Sequence, residues 1–188
     1  MKVAILIGSI RNGRQSHKIG HYLETRLKQR GILADLIDPV QKPACPSAGG
    51  HVCRAAFAEN ISDISTRLHD ADALVFITPE YHGSYSGILK FILDRVWTKF
   101  YRKTIGVVTV STGKMGGINA STQLQHVILS LGAYAVPIKL LVPDVENAFD
   151  ENFHPVHEKM VMAADKFLDE FLWLAGAVAK KKKTIPIL

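Results

Sequence analysis

Cysteine is nearly missing from this chain of 188 residues, which has only Cys45 and Cys53. They form no CxxC pair and no cluster with metal-ligand spacing. Free thiols in a reducing compartment are therefore expected, with neither a disulfide framework nor a metal centre. Long apolar runs are missing too. Those over residues 3–7 and 73–77 fall far short of the roughly 20 residues that cross a bilayer, so no membrane span is expected. The apolar stretch after Lys2 is too short for a signal-peptide core and reads as a buried strand, which points to a cytoplasmic protein. An acidic surplus is absent as well, since 23 Lys and Arg stand against 17 Asp and Glu, a net charge of +6. Lys180, Lys181, Lys182 and Lys183 supply four of those positives, leaving +2 for the rest. A nucleic-acid reader needs a basic face interleaved with aromatic or groove-reading residues. Here the excess is terminal, so nucleic acid is not expected as a partner and residues 180–188 read as a mobile basic tail.

The chain does have enough apolar material for a full core, at 47% hydrophobic and 21% charged residues with a mean hydropathy of +0.10. Its length fits one compact domain over residues 1–179. Runs rich in Val, Ile and Leu at 3–7, 33–37, 73–77, 105–110 and 135–141 predict five strands. Their continuous apolar character predicts strands covered on both faces. Between and after them lie helical spacings: Ile19, Leu23 and Leu27; Ile61, Ile64 and Leu68; Leu89, Leu93 and Val96; Leu124, Val127, Ile128 and Leu131; Val161, Phe167, Phe171, Leu172 and Leu174. Strand and helix alternate throughout, which calls for an α/β fold with a parallel sheet, right-handed crossovers and helices on both faces.

Ligands of such sheets bind beyond the carboxyl ends of the strands, which directs attention to three loops. The first, residues 8–16, reads Gly-Ser-Ile-Arg-Asn-Gly-Arg-Gln-Ser and opens onto a helix. Hydroxyls, backbone N–H groups and two guanidinium groups at a helix N-terminus suit a phosphate. The dinucleotide fingerprint GxGxxG is absent. Gly8 and Gly13 have Walker spacing, but Arg14-Gln15-Ser16 stands where Lys-Ser/Thr is required. The bland alternative is a turn capped by Ser16. The second loop, residues 78–87, offers Tyr81 as a wall for a planar heterocycle, with Gly83 and Gly87 permitting close backbone approach; alternatively Tyr81 and Tyr85 cover the core. His82 reads as a solvated or hydrogen-bonded loop residue more readily than as a catalyst. The third loop, residues 111–117, has three glycines and is either a backbone edge for a flat ligand or a flexible turn. Together the three suit a mononucleotide bearing a large planar ring.

Gly8-Ser9-Ile10-Arg11 with Ser16, then Pro79-Glu80-Tyr81-His82-Gly83-Ser84 running into Gly87-Ile88-Leu89-Lys90 and Asp94, then Ser111-Thr112-Gly113-Lys114-Met115-Gly116-Gly117 resemble the NADPH-dependent FMN reductases. The likeness covers roughly residues 1–145. It implies a flavodoxin-like three-layer sandwich with a five-stranded parallel sheet in the order 2-1-3-4-5. It also implies non-covalent FMN, with its phosphate on Ser9, Arg11, Gln15 and Ser16, joined by Arg14. Pro79, Glu80, Tyr81, His82 and Gly83 would line the isoalloxazine, and Ser111 and Gly113 would reach its other edge. Implied further are NADPH or NADH as co-substrate, ping-pong turnover onto a quinone, azo compound, free flavin or metal oxyanion, and a homodimer or homotetramer. A flavodoxin-type electron carrier is the alternative, against which the basic charge and the arginines of the first loop argue. The sequence departs from the family at His82, where Asn is usual, at Ser86-Gly87 for Pro-Gly, and at Phe91 for Asn. Residues 43–54, with both cysteines, replace a short acidic loop and read as a tolerated surface insertion, the alternative being a distinct acceptor site.

Overall fold

The computed structural model describes residues 1–40 and 54–184; Cys45, Cys53 and the insertion read from them lie outside those residues, apart from Arg54. Strand β1 (Lys2–Ile7), helix α1 (Ser16–Gln29), β2 (Leu33–Ile37), α2 (Arg54–Asp70) and β3 (Ala73–Tyr81) open the chain. There follow β4 (Ser84–Tyr85), α3 (Gly87–Arg95), β5 (Thr104–Val110), α4 (Ile118–Ser130), β6 (Tyr134–Val142) and α5 (Glu158–Thr184). The five long strands are parallel in the order β2-β1-β3-β5-β6. This is the doubly wound order expected, and β4 is an addition to it. β3 runs four residues beyond the apolar stretch that predicts it because Glu80 and Tyr81 pair antiparallel with Tyr85 and Ser84. Part of the second loop is thus a hairpin.

Alternation along the strands splits the core in two. Val3, Ile5 and Ile7 of β1 face Ile19, Leu23 and Leu27 of α1 in a cluster that also holds Phe167 and Phe171 of α5. Ala4 and Leu6 belong to the opposite cluster with Leu68 of α2, Ile92 of α3 and Ile128 of α4. The inner strands β1, β3 and β5 contribute buried residues to both clusters, which is why their sequences read as mostly apolar runs. The segment expected as a mobile tail is helical as far as Thr184, and Lys180–Lys183 form the end of α5, where cations favour the carbonyl end of the dipole. No described helix is long and apolar enough to cross a membrane.

Two contacts hold the first loop against its neighbours. The Gly8 N–H donates to the Ile77 carbonyl at 2.7 Å, and a Cβ on Gly8 would stand 2.9 Å from both the Ile77 oxygen and the Leu89 Cβ. The Ser86 hydroxyl, at the N-cap of α3, donates to the Gly8 carbonyl. Only glycine permits this approach, and it sets the loop at the seam between β1 and β3.

Candidate functional site

At the carboxyl end of the sheet lies a cleft of about 380 Å³. Nine of the twelve residues singled out from the sequence line it: Ser9, Arg11, Arg14, Gln15, Ser16, Pro79, Glu80, Tyr81 and Ser111. His82, Gly83 and Gly113 do not. The structure adds Val145 and Glu146, which the sequence reading missed.

The first loop turns polar atoms inward. Ser9 and Ser16 are buried, yet their hydroxyls, and the side-chain oxygen of Gln15, find no partner among the described residues. Gln15 at the N-cap of α1 makes no capping bond, and the first turn holds no acidic residue. Unpaired buried polar atoms are costly unless a ligand meets them. A helix N-terminus with free N–H groups sets the sign of that ligand as negative. Burial first, then the Arg14 guanidinium, push the imidazole of His17, in the first turn of α1, below its ordinary value. These features fit the phosphate of FMN.

The two arginines of this loop have different jobs. Arg14 forks onto Asp38, at 2.6 and 2.5 Å, and the same guanidinium donates to the Ser9 carbonyl at 2.7 Å. The Asp38 side chain is 2% exposed and that of Arg14 15%, so this is a largely desolvated, bidentate pair. It braces the loop against the end of β2. Arg11 is exposed, and its side chain makes no hydrogen bond or ion pair among the described residues; its guanidinium carbon stands 6.0 Å from the centre of the Tyr81 ring. Among the described residues that line the cleft it is the cation left without a carboxylate partner.

Glu80 is among the residues that line the cleft, and its carboxylate turns to α4. There it accepts from the Ala120 N–H at 3.0 Å and the Asn119 amide at 3.3 Å. The N-cap of α4 is Gly117, which has no side chain to do this, so Glu80 supplies the cap from another element. His82 (φ 52) and Gly83 (φ 77) form the two-residue turn between β3 and β4. Positive φ at both positions is the primed hairpin geometry, in which Asn-Gly is preferred. This gives the usual Asn of the family pattern a backbone reason. His82→Asn is expected to raise stability by roughly 0.5 kcal/mol, read as a shift in the urea midpoint.

The third loop is stitched to the segment after β6. The Ser111 N–H donates to the Val142 carbonyl and the Val145 N–H to the Ser111 carbonyl, each at 3.1 Å. The Gly113 N–H donates to the Ser111 hydroxyl at 3.1 Å, and its carbonyl accepts from the Asp144 N–H at 3.4 Å. This stitching carries Val145 and Glu146 to the cleft. The available signal in the sequence was positional: residues following the last strand emerge at the same sheet edge. Among the described residues no group of His, Cys, Asp and Glu could hold a metal ion.

A family model described as NADPH-dependent FMN reductase matches residues 1–147. Among curated proteins, an FMN-dependent NADPH-azoreductase of Staphylococcus aureus is 30% identical over 180 residues, 92% of this chain and 94% of that protein. An FMN-dependent NADPH-azoreductase of Staphylococcus saprophyticus is 28% identical over the same shares. Among solved structures, FerB, a flavoenzyme NAD(P)H:(acceptor) oxidoreductase from Paracoccus denitrificans, superposes with a TM-score of 0.75 at 22% identity, covering 94% of this chain and 97% of that one. An NADH:FMN oxidoreductase in its apo form gives 0.65 at 17% identity, covering 88% and 87%. At those identities the structural likeness carries the fold.

Proposed function

The chain belongs to the NADPH-dependent FMN reductase family, and on that premise we propose that its cleft holds FMN and passes reducing equivalents from NADPH to a small planar acceptor, an azo compound or a quinone. The observation that carries this is the set of unpaired buried polar atoms on Ser9, Gln15 and Ser16 beside the uncommitted Arg11. FMN, when bound, supplies the hydride chemistry of both halves of a ping-pong turnover, so no side chain need act as acid or base.

The residues bind, orient and exclude. Ser9, Gln15, Ser16 and the free N–H groups of α1 take the phosphate, with Arg11 completing its charge. Arg14 holds that loop in shape through Asp38 without spending its own donors on the ligand. Pro79 and Tyr81 wall the ring on one side, and Ser111 and Val145 bound it on the other. His82, Gly83 and Gly113 serve from behind, by fixing the main chain that presents those walls. Exposed rings at Trp97 and Trp173 fit assembly into the homodimer or homotetramer that the resemblance implies.

The test is an absorbance spectrum of protein loaded with FMN and freed of excess, followed by NADPH without oxygen. Flavin absorbance that stays with the protein and bleaches is the expected result. Flavin that binds and never bleaches with NADPH or NADH would favour the electron-carrier reading, and flavin that washes away would favour FMN as a transient substrate. Arg11→Ala is expected to weaken FMN by about 10- to 100-fold, the loss of a charge-assisted hydrogen bond of roughly 1.5–3 kcal/mol. Riboflavin affinity, measured by the same fluorescence titration, should stay where it was. An equal loss for both flavins would place Arg11 at the ring instead.

A further inference from the structure

The wall that carries Tyr81 rests on very little of its own. β4 is two residues long and, among the described residues, pairs only with Glu80 and Tyr81, and an isolated two-stranded hairpin is marginal in water. Its turn also holds two left-handed residues in succession. Its base is closed by the Ser86 N–H, which donates to the Thr78 hydroxyl at 3.0 Å; what fixes its tip comes from α4, some 40 residues along the chain. The Gln123 amide donates to the Gly83 carbonyl at 2.8 Å and its side-chain oxygen accepts from the Ser84 hydroxyl at 2.7 Å. One turn earlier on the helix, Asn119 and Ala120 donate to Glu80. The contacts thus fall at the turn and at the end of β3, bracketing Tyr81. Turning the Gln123 amide over would set its oxygen against the Gly83 carbonyl, so the pair of bonds selects one orientation. Gln123 is exposed, lines no part of the cleft and belongs to none of the three loop motifs.

We propose that Gln123 is a positioning residue for the flavin ring, acting through the hairpin that bears Tyr81. This rests on the reading of the cleft as an FMN site. Two neutral hydrogen bonds at the surface add little to global stability, so the effect belongs to ring affinity and to local opening of the hairpin. Gln123→Met keeps length and removes both bonds. It is expected to lower FMN and riboflavin affinity by the same factor, about fivefold, with the thermal midpoint unchanged.

Gln125 is the control. It sits on the same helix but anchors it to the Val136 carbonyl at 2.8 Å, away from the hairpin, and Gln125→Met should leave both flavin affinities alone. Amide hydrogen exchange of the flavin-free protein gives a readout independent of the ligand. Gln123→Met should speed exchange at residues 82–85, whereas Gln125→Met should not. Unchanged affinities in Gln123→Met, an equal loss in Gln125→Met, or a loss confined to FMN would each overturn the proposal. If wild-type protein takes up neither flavin, the functional reading falls, and the positioning role towards a flavin falls with it. If wild type binds both and Gln123→Met binds them equally well, only the positioning role is overturned.

Discussion

Asp38→Ala is expected to destabilise the protein by about 3 kcal/mol, measured by urea unfolding, and to cost FMN affinity as well. The reason is asymmetric. Removing the carboxylate leaves the Arg14 guanidinium largely desolvated and unpaired, and a guanidinium cannot shed its proton to escape the cost. Its residual exposure of 15% places the effect at the lower end of the range for breaking a buried pair. Asp38 also accepts from the Val40 N–H at 3.1 Å, so the turn after β2 loosens together with the phosphate loop. Because Arg14 also holds the Ser9 carbonyl, FMN should lose more than riboflavin. Arg14→Lys separates charge from geometry: it keeps the cation but not the fork, and is expected to lose FMN affinity with a smaller loss of stability. Wild-type stability in Asp38→Ala would show that the pair is solvated in solution.

Gly117→Ala is expected to cost about 3 kcal/mol through two additive strains. At φ 84 an alanine meets the left-handed penalty of about 1–2 kcal/mol. Its Cβ would also stand 2.8 Å from the Thr109 Cβ and 3.0 Å from the Thr109 hydroxyl, an overpacking of about 1–3 kcal/mol. The Thr109 hydroxyl donates to the Gly116 carbonyl at 2.8 Å, so the third loop cannot yield without breaking that bond. The Glu80 cap on α4 begins three residues further on and would shift with it. Calorimetry reads the stability loss, and titration with both flavins should show FMN and riboflavin weakened alike, because the displaced loop bounds the ring and not the phosphate. A loss restricted to FMN would contradict the placement of this loop.

These expectations depend on different depths of information. The five parallel strands and five helices were legible because apolar periodicity is local: Ile19, Leu23 and Leu27 declare a buried helix face whatever surrounds them. Where the sequence fell short, the cause was a partner it does not display. β3 continues to Tyr81 because a two-residue strand lies beside it, and no apolar pattern marks so short an element. Val145 and Glu146 reach the cleft because the segment after β6 pairs with Ser111, a contact set by strand order and not by motif.

The sequence by itself determined a parallel α/β architecture with helices on both faces, and it pointed to the sheet edge where a ligand would bind and to a phosphate-and-ring reading of the loops there. Pattern and composition suffice for that, since each loop states its own hydrogen-bonding capacity. Only the tertiary structure decided which of those groups find partners within the protein. Arg11 and Arg14 are chemically identical and three positions apart, and the difference between an unpaired cation at the cleft and a brace is made by Asp38, 24 residues away. Glu80 is diverted to α4 by an N-terminus 40 residues away that has no cap of its own. A polar side chain goes to the strongest unsatisfied partner within reach, and reach is fixed by the packing of the sheet and its helices.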